Sequence, residues 1–321
     1  MLLSLLMITT LAAAPSGPDA LVGIWGSEDQ PVLTLYPERI ATAGASAWLW
    51  THEAQGHIRL ESPSGKEPAQ VLPYRLDGGK LVLTLPPAKK AVSLETVLLM
   101  AVRQGQQRPD VEKGATLVLE RLPVPKEMIA PYSKTAPKAL SDRYVRASGH
   151  IFHLTQGYFA GLSAAAPAIK RLSGVDAASF EVLWEDVARD RKHIYCPEVL
   201  AHADRDSFKP VPNEYAPWFK DRNGLWIGCE RQLKLLPGQS RGVPFDGASF
   251  KVLSLIQVKD RGGTFRQSNR SEPEPSPPGH GPTRRAGIWL SLDDPRSKEE
   301  RFVPTQRQYQ LPPLFRPGPS K

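Results

Sequence analysis

Ala188-Arg189-Asp190-Arg191-Lys192-His193-Ile194-Tyr195-Cys196 is written more than once in this chain. Phe219-Lys220-Asp221-Arg222-Asn223-Gly224-Leu225-Trp226-Ile227 aligns with it, and so does Val258-Lys259-Asp260-Arg261-Gly262-Gly263-Thr264-Phe265-Arg266. Each runs through a basic residue, Asp, turn residues, an aliphatic or Thr, and an aromatic. A decayed copy, Val145-Arg146-Ala147-Ser148-Gly149-His150-Ile151-Phe152-His153, precedes them and has Ala147 where the others have Asp. A second block travels with the first. Asp-x-x-Ser-Phe stands at Asp176 to Phe180, Asp204 to Phe208 and Asp246 to Phe250, and the hairpin Asp follows 14, 17 and 14 residues later. Linked halves at near-constant spacing are the mark of a repeat architecture.

The chemistry of the two blocks predicts their shape. Asp176, Asp204 and Asp246 each precede three residues ending in Ser, the pattern of an N-cap opening a single helical turn. Phe180, Phe208 and Phe250 then anchor that turn in a core. Asp190, Asp221 and Asp260 enter tight turns built from residues that tolerate them, and the return strands carry Tyr195, Trp226 and Phe265. A unit this small cannot bury its own apolar face, so neighbouring units must share one. The expectation for 141–267 is a β-hairpin repeat array with short helical turns. These residues resemble the DKNYYY family of exported bacterial repeat proteins, with Arg in place of the family's Lys and one aromatic where several occur. That resemblance implies an extracytoplasmic repeat domain and brings no catalytic residues.

Ahead of the array, short apolar stretches alternate with turn residues: Leu21 to Gly26, Val32 to Tyr36, Ala47 to Trp50, His57 to Glu61, Val71 to Leu76, Lys80 to Leu85 and Thr116 to Arg121. Asp77-Gly78-Gly79 between two of them signals a hairpin. Ala91 to Gln104 is the one helical candidate. Strands at this spacing predict an antiparallel barrel or sandwich over 20–122. Gly23-Ile24-Trp25, with Arg121 on the last strand, resembles the small lipocalin-like barrels of exported bacterial proteins. The resemblance implies that Trp25 closes one barrel end and Arg121 packs across its ring by cation–π attraction.

Residues 1–14 are apolar, uncharged and end in Ala12-Ala13-Ala14, the composition of a secretory signal peptide and too short for a membrane span. Residues 123–140 read as a linker, and 268–321, with Glu272-Pro273-Glu274-Pro275 and further prolines, as a largely disordered tail. Within that tail, Ala286 to Leu292 has the composition of one strand. Cys196 and Cys229 close successive copies of the repeat. In an oxidising compartment such an even pair predicts a disulfide, the alternative being two buried thiols.

The net charge of +8 favours anionic partners, yet no run of positive residues exceeds two, and no nucleic-acid motif is present. Gly238-Gln239-Ser240-Arg241-Gly242 matches the serine-hydrolase elbow, but Pro237 and Pro244 deny it the strand and helix it needs. His150 and His153 lie three apart, which on a strand turns them to opposite faces and away from a shared metal. Asp190, Asp221 and Asp260 read as turn acids rather than catalytic ones. No cofactor motif appears. The expectation is a periplasmic or secreted binding protein without enzymatic activity. Its partner would be another protein or an anionic envelope component. The alternatives are a hydrolase with an interdomain cleft and an apolar-ligand carrier using the first barrel.

Overall fold

Alternation of inward apolar and outward polar residues closes the first eight strands on themselves. β1 (Gly23–Ser27), β2 (Gln30–Leu35), β3 (Ile40–Ala43), β4 (Ser46–Glu53), β5 (His57–Glu61), β6 (Gln70–Asp77), β7 (Lys80–Leu85) and β8 (Ala115–Leu122) form a closed antiparallel barrel, β8 pairing back onto β1. The computed structural model describes residues 17–27, 30–43, 46–54, 56–85, 115–128, 130–155, 159–160, 163–164, 168–212, 217–254, 256–274 and 283–296. The expected signal peptide, the helical candidate at 91–104 and residues 297–321 lie outside them. Trp25, Trp50, Leu33, Leu60, Leu83 and Leu119 are buried in one cluster with Trp48, Ala41 and Ala43. Period two turns Ile40, Ala47 and Leu49 into a different cluster. Gly78 and Gly79, at φ +55° and +83°, make the two-residue turn between β6 and β7. The pairing implied for Arg121 is present. Its guanidinium carbon lies 5.5 Å from the Trp25 ring centre, and its Nη2 donates to the Val22 carbonyl at 2.7 Å. Strand β3, Ile-Ala-Thr-Ala, was not expected, because short small residues carry little periodicity.

The chain divides into two compact units, Met1–Ser173 and Gly174–Lys321. The expected repeat domain begins at residue 141, within the first of these units. β9 (Lys138–Ala139), β10 (Tyr144–Ala147), β11 (His150–Thr155) and β14 (Ala168–Arg171) form a sheet in the first unit, with a short hairpin of β12 (Phe159–Ala160) and β13 (Ser163–Ala164) between them. Val145, Ala147, Phe152 and Leu154 of the decayed copy pack with Ile40 and Ala47 on the outside of the barrel. Ala147 is buried there, where an Asp carboxylate would lose its hydration. The expected linker is also held down. Tyr132 packs at a tilt against Trp50, 4.9 Å between ring centres, and its N–H donates to Asp19 at 2.6 Å.

In the second unit β15 (Glu181–Trp184), β16 (Val187–Arg189) and β17 (Ile194–Tyr195) make a three-stranded sheet. A larger one contains β18 (Lys209–Pro210), β19 (Trp218–Asp221), β20 (Gly224–Ile227), β21 (Glu230–Leu235), β22 (Val243–Pro244), β23 (Lys251–Ser254), β24 (Gln257–Asp260), β25 (Gly263–Glu274) and β26 (Thr283–Ser291). All its pairs are antiparallel except β21 with β26. β25 runs past residue 268, where a largely disordered tail is expected, and β26 falls on the strand composition read at Ala286 to Leu292. Beside β21, β26 buries Ile288, Trp289 and Leu290, and that burial offsets the cost of ordering the strand. Cys196 and Cys229 are joined in a disulfide, 33 residues apart in sequence. At each Asp-x-x-Ser the helical turn expected is a single hydrogen-bonded turn.

Candidate functional site

The hairpin acids lie buried at the ends of their first strands, with Asp190, Asp221 and Asp260 no more than 5% exposed. Each carboxylate makes the same two kinds of bond. One oxygen accepts the N–H of the preceding block's Asp: Asp176 to Asp190 at 2.9 Å, Asp204 to Asp221 at 2.6 Å, Asp246 to Asp260 at 3.0 Å. The other accepts from the hairpin's own turn: Lys192 and His193 onto Asp190 at 2.7 and 2.8 Å, Asn223 onto Asp221 at 2.8 Å, Gly262 onto Asp260 at 2.7 Å. The Ser of each block closes the circuit. Ser179, Ser207 and Ser249 donate to Asp176, Asp204 and Asp246 at 2.8, 2.6 and 2.8 Å, and accept the N–H of Arg191, Arg222 and Arg261. The Ser hydroxyl, above all, holds each of those three acids below the ordinary carboxylate range. The spacing read in the sequence is thus the reach of a polar latch that fastens turn to hairpin.

Beneath the latches lie the aromatics. Phe180 meets Tyr195 at 5.7 Å, Phe208 stacks on Phe219 at 5.2 Å and lies 6.3 Å from Trp226, and Phe250 and Phe265 both flank Phe245. Tyr195, Trp226 and Phe265 are all buried. What sits under the carboxylate varies. The Tyr195 hydroxyl donates to Asp190 at 2.7 Å. Burial pushes the Asp190 carboxyl up, but this bond and three backbone N–H groups outweigh it and hold it at about 2. At Asp221 burial wins, and the carboxyl is raised although the N–H groups of Asp204, Asn223 and Gly224 and the Trp226 indole pull the other way. At Asp260 a cation intervenes: Lys234 of β21, mostly buried, donates from Nζ to Oδ2 and lies over the rings of Phe245 and Phe265. A Cβ on Gly262 would come within 3.2 Å of that ammonium and of the Asp260 carboxylate; the corresponding positions in the other hairpins are Lys192 and Asn223. Lys234 was missed in the sequence.

The remaining sequence candidates do not assemble into chemistry. Gly238 to Gly242 forms a loop between β21 and β22, where Gln239 N–H bonds the Leu236 carbonyl at 3.0 Å and no helix follows. His153 is buried against Tyr144, whereas His150 is half-buried at the start of β11. Among the described residues no group of three or more His, Cys, Asp and Glu is placed to hold a metal ion. Among them, too, no helix is long and apolar enough to cross a membrane.

An open cleft of about 430 Å³ in the second unit has a distinct lining. Arg189, Lys209, Lys220 and Arg222 face it, with Phe208 at its wall and Asp206 the one exposed acid. Lys209 on β18 and Lys220 on β19 are directly opposed in the strand register. Lys220 gives one hydrogen bond to the Gly247 carbonyl at 2.9 Å. Arg189 pairs with Glu181 and Arg222 with Asp204, each at 2.8 Å. No protein family, curated protein or solved structure matches this chain.

Proposed function

We propose that this is an exported binding protein of the bacterial envelope, periplasmic or secreted, whose second unit recognises an anionic envelope component. On this reading the barrel is a lipocalin-like scaffold, and the three latched hairpins form an array of the DKNYYY type. The observation that carries the binding assignment is the basic cleft. It gathers four cations around an open volume in a chain of net charge +8. Binding is favoured over hydrolysis because Asp176, Asp204, Asp246 and their serines are engaged in fastening turns. The Cys196–Cys229 disulfide supports an oxidising compartment.

Immobilised full-length protein, disulfide intact, should retain acidic polysaccharides or anionic vesicles and pass their neutral counterparts. Retention should weaken as salt rises through the screening range. Equal retention of neutral and acidic materials defeats the assignment. Cell fractionation with thiol alkylation checks the compartment: a cytosolic protein with both cysteines alkylated would overturn export.

A further inference from the structure

We infer that Lys209 and Lys220 are the centre of a site for a compact dianionic oxyanion, a phosphate- or sulfate-type group. This rests on the binding role proposed above and names the chemistry of its ligand.

The strand register supplies the first argument. Directly opposed residues on an antiparallel pair have Cβ atoms about 4.5–5.5 Å apart, and like charges placed there destabilise the pair. Lys209 and Lys220 are such a pair, and both side chains line the same concavity. Within the described protein the repulsion is only partly relieved. Lys220 spends one donor on the Gly247 carbonyl, and the Lys209 ammonium has no hydrogen-bond or ion-pair partner among the described residues. A bridging anion turns that repulsion into two charge-assisted hydrogen bonds.

The second argument is the surroundings. Arg222, fixed at one end by its own N–H on Ser207 and at the other by Asp204, borders the cleft with most of its side chain in solvent. Arg189 borders it too, pinned by Glu181. A planar monoanion is balanced by one lysine. Two opposed ammonium groups with a guanidinium beside them match a tetrahedral dianion. A volume of about 430 Å³ exceeds that of a bare ion and leaves room for an attached sugar-sized moiety. β18 is an edge strand, where lysine also serves to discourage strand addition. That purpose requires neither a second lysine on the inner strand β19 nor a shared cleft.

Full-length protein is titrated calorimetrically with inorganic phosphate, sulfate, glucose 6-phosphate and glucuronate, at ionic strength matched with chloride. Phosphate or sulfate should bind, K209Q should weaken binding by at least about tenfold, and K209Q/K220Q should abolish it. Glucose 6-phosphate binding more tightly than phosphate identifies a phosphorylated organic ligand, and equal affinity identifies the free ion. In chloride alone K209Q should unfold at or above the wild-type temperature, because a repulsion has been removed. Three results would overturn the inference: no binding of either oxyanion, preference for glucuronate, or a K209Q protein that is destabilised in chloride. If the oxyanions fail while K209Q/K220Q still lowers retention on acidic polysaccharide, the cleft binds anions but not this class.

Discussion

The turns at Asp190 and Asp221 receive the same backbone bonds, yet their carboxyls move in opposite directions. Asp190 has the Tyr195 hydroxyl beneath it and is held at about 2; Asp221 has Trp226 at the equivalent position and is raised. At Asp221 the backbone N–H groups and the Trp226 indole together do not offset burial, whereas at Asp190 the N–H groups and the Tyr195 hydroxyl outweigh it. The third turn answers the same need with a full charge, Lys234. One latch, repeated three times, has three solutions under it. The energetic weight of each turn should follow from which solution it uses.

The largest effect belongs to the turn that uses an ion. Lys234→Met leaves Asp260 buried without its cation, which should cost about 3–5 kcal/mol. The K234M/D260N double variant should recover much of that, since the uncompensated charge is gone. Urea unfolding followed by tryptophan fluorescence measures both. A K234M cost below about 1 kcal/mol would mean that the N–H groups suffice at Asp260, and the ranking of the three turns collapses.

The pair Asp190→Asn and Asp221→Asn tests the comparison directly. A shift from 3.8 to about 2 corresponds to about 2 kcal/mol, so D190N should cost about that much at neutral pH. D221N should cost less than half as much, because it also removes a buried charge that the fold disfavours. The pH signs differ as well. Asp190 is more acidic folded than unfolded, so its contribution is complete above about pH 4 and drains away between about 4 and 2. Asp221 is less acidic folded, so it costs stability at neutral pH and that cost fades as pH falls through its raised value. Stability against pH should lose the acid decline in D190N and the relief on acidification in D221N. Identical profiles for the two variants would erase the distinction.

Much of this was legible in the residues, and what escaped did so for physical reasons. The latch was visible as spacing because its partners are local: Asp-x-x-Ser closes on itself, and the hairpin acid lies 14 or 17 residues on. The barrel showed in its period-two runs, the Trp25–Arg121 contact included. Lys234 was invisible because it reaches Asp260 from a strand 26 residues upstream and carries no motif. Strand β26 showed in the composition of Ala286 to Leu292, but its parallel pairing with β21 did not, because that neighbour lies far back in the chain. The decayed copy Val145 to His153 looked like part of the array. Its buried Ala147 instead fits an apolar cluster on the barrel, a distinction that needs the partner surface and not the motif. The opposed lysines at 209 and 220 depend on register, which a sequence states only after its pairs are known.

The sharpest test changes a single oxygen. Tyr195→Phe keeps the ring against Phe180 and removes only the hydroxyl that Asp190 accepts. Burial, and then the adjacent carboxylate, push that hydroxyl's own titration upward, so it remains a donor across the accessible pH range. Its loss should cost about 1.5 kcal/mol, the value of a hydrogen bond to a charged acceptor. More telling than the cost is its pH dependence. With one donor fewer, Asp190 should drift upward, and the acid decline between about pH 4 and 2 should shrink in the Y195F profile. A Y195F protein that loses stability equally at every pH would show that the hydroxyl acts through packing, and that the two turns differ for some reason other than the donor beneath the carboxylate.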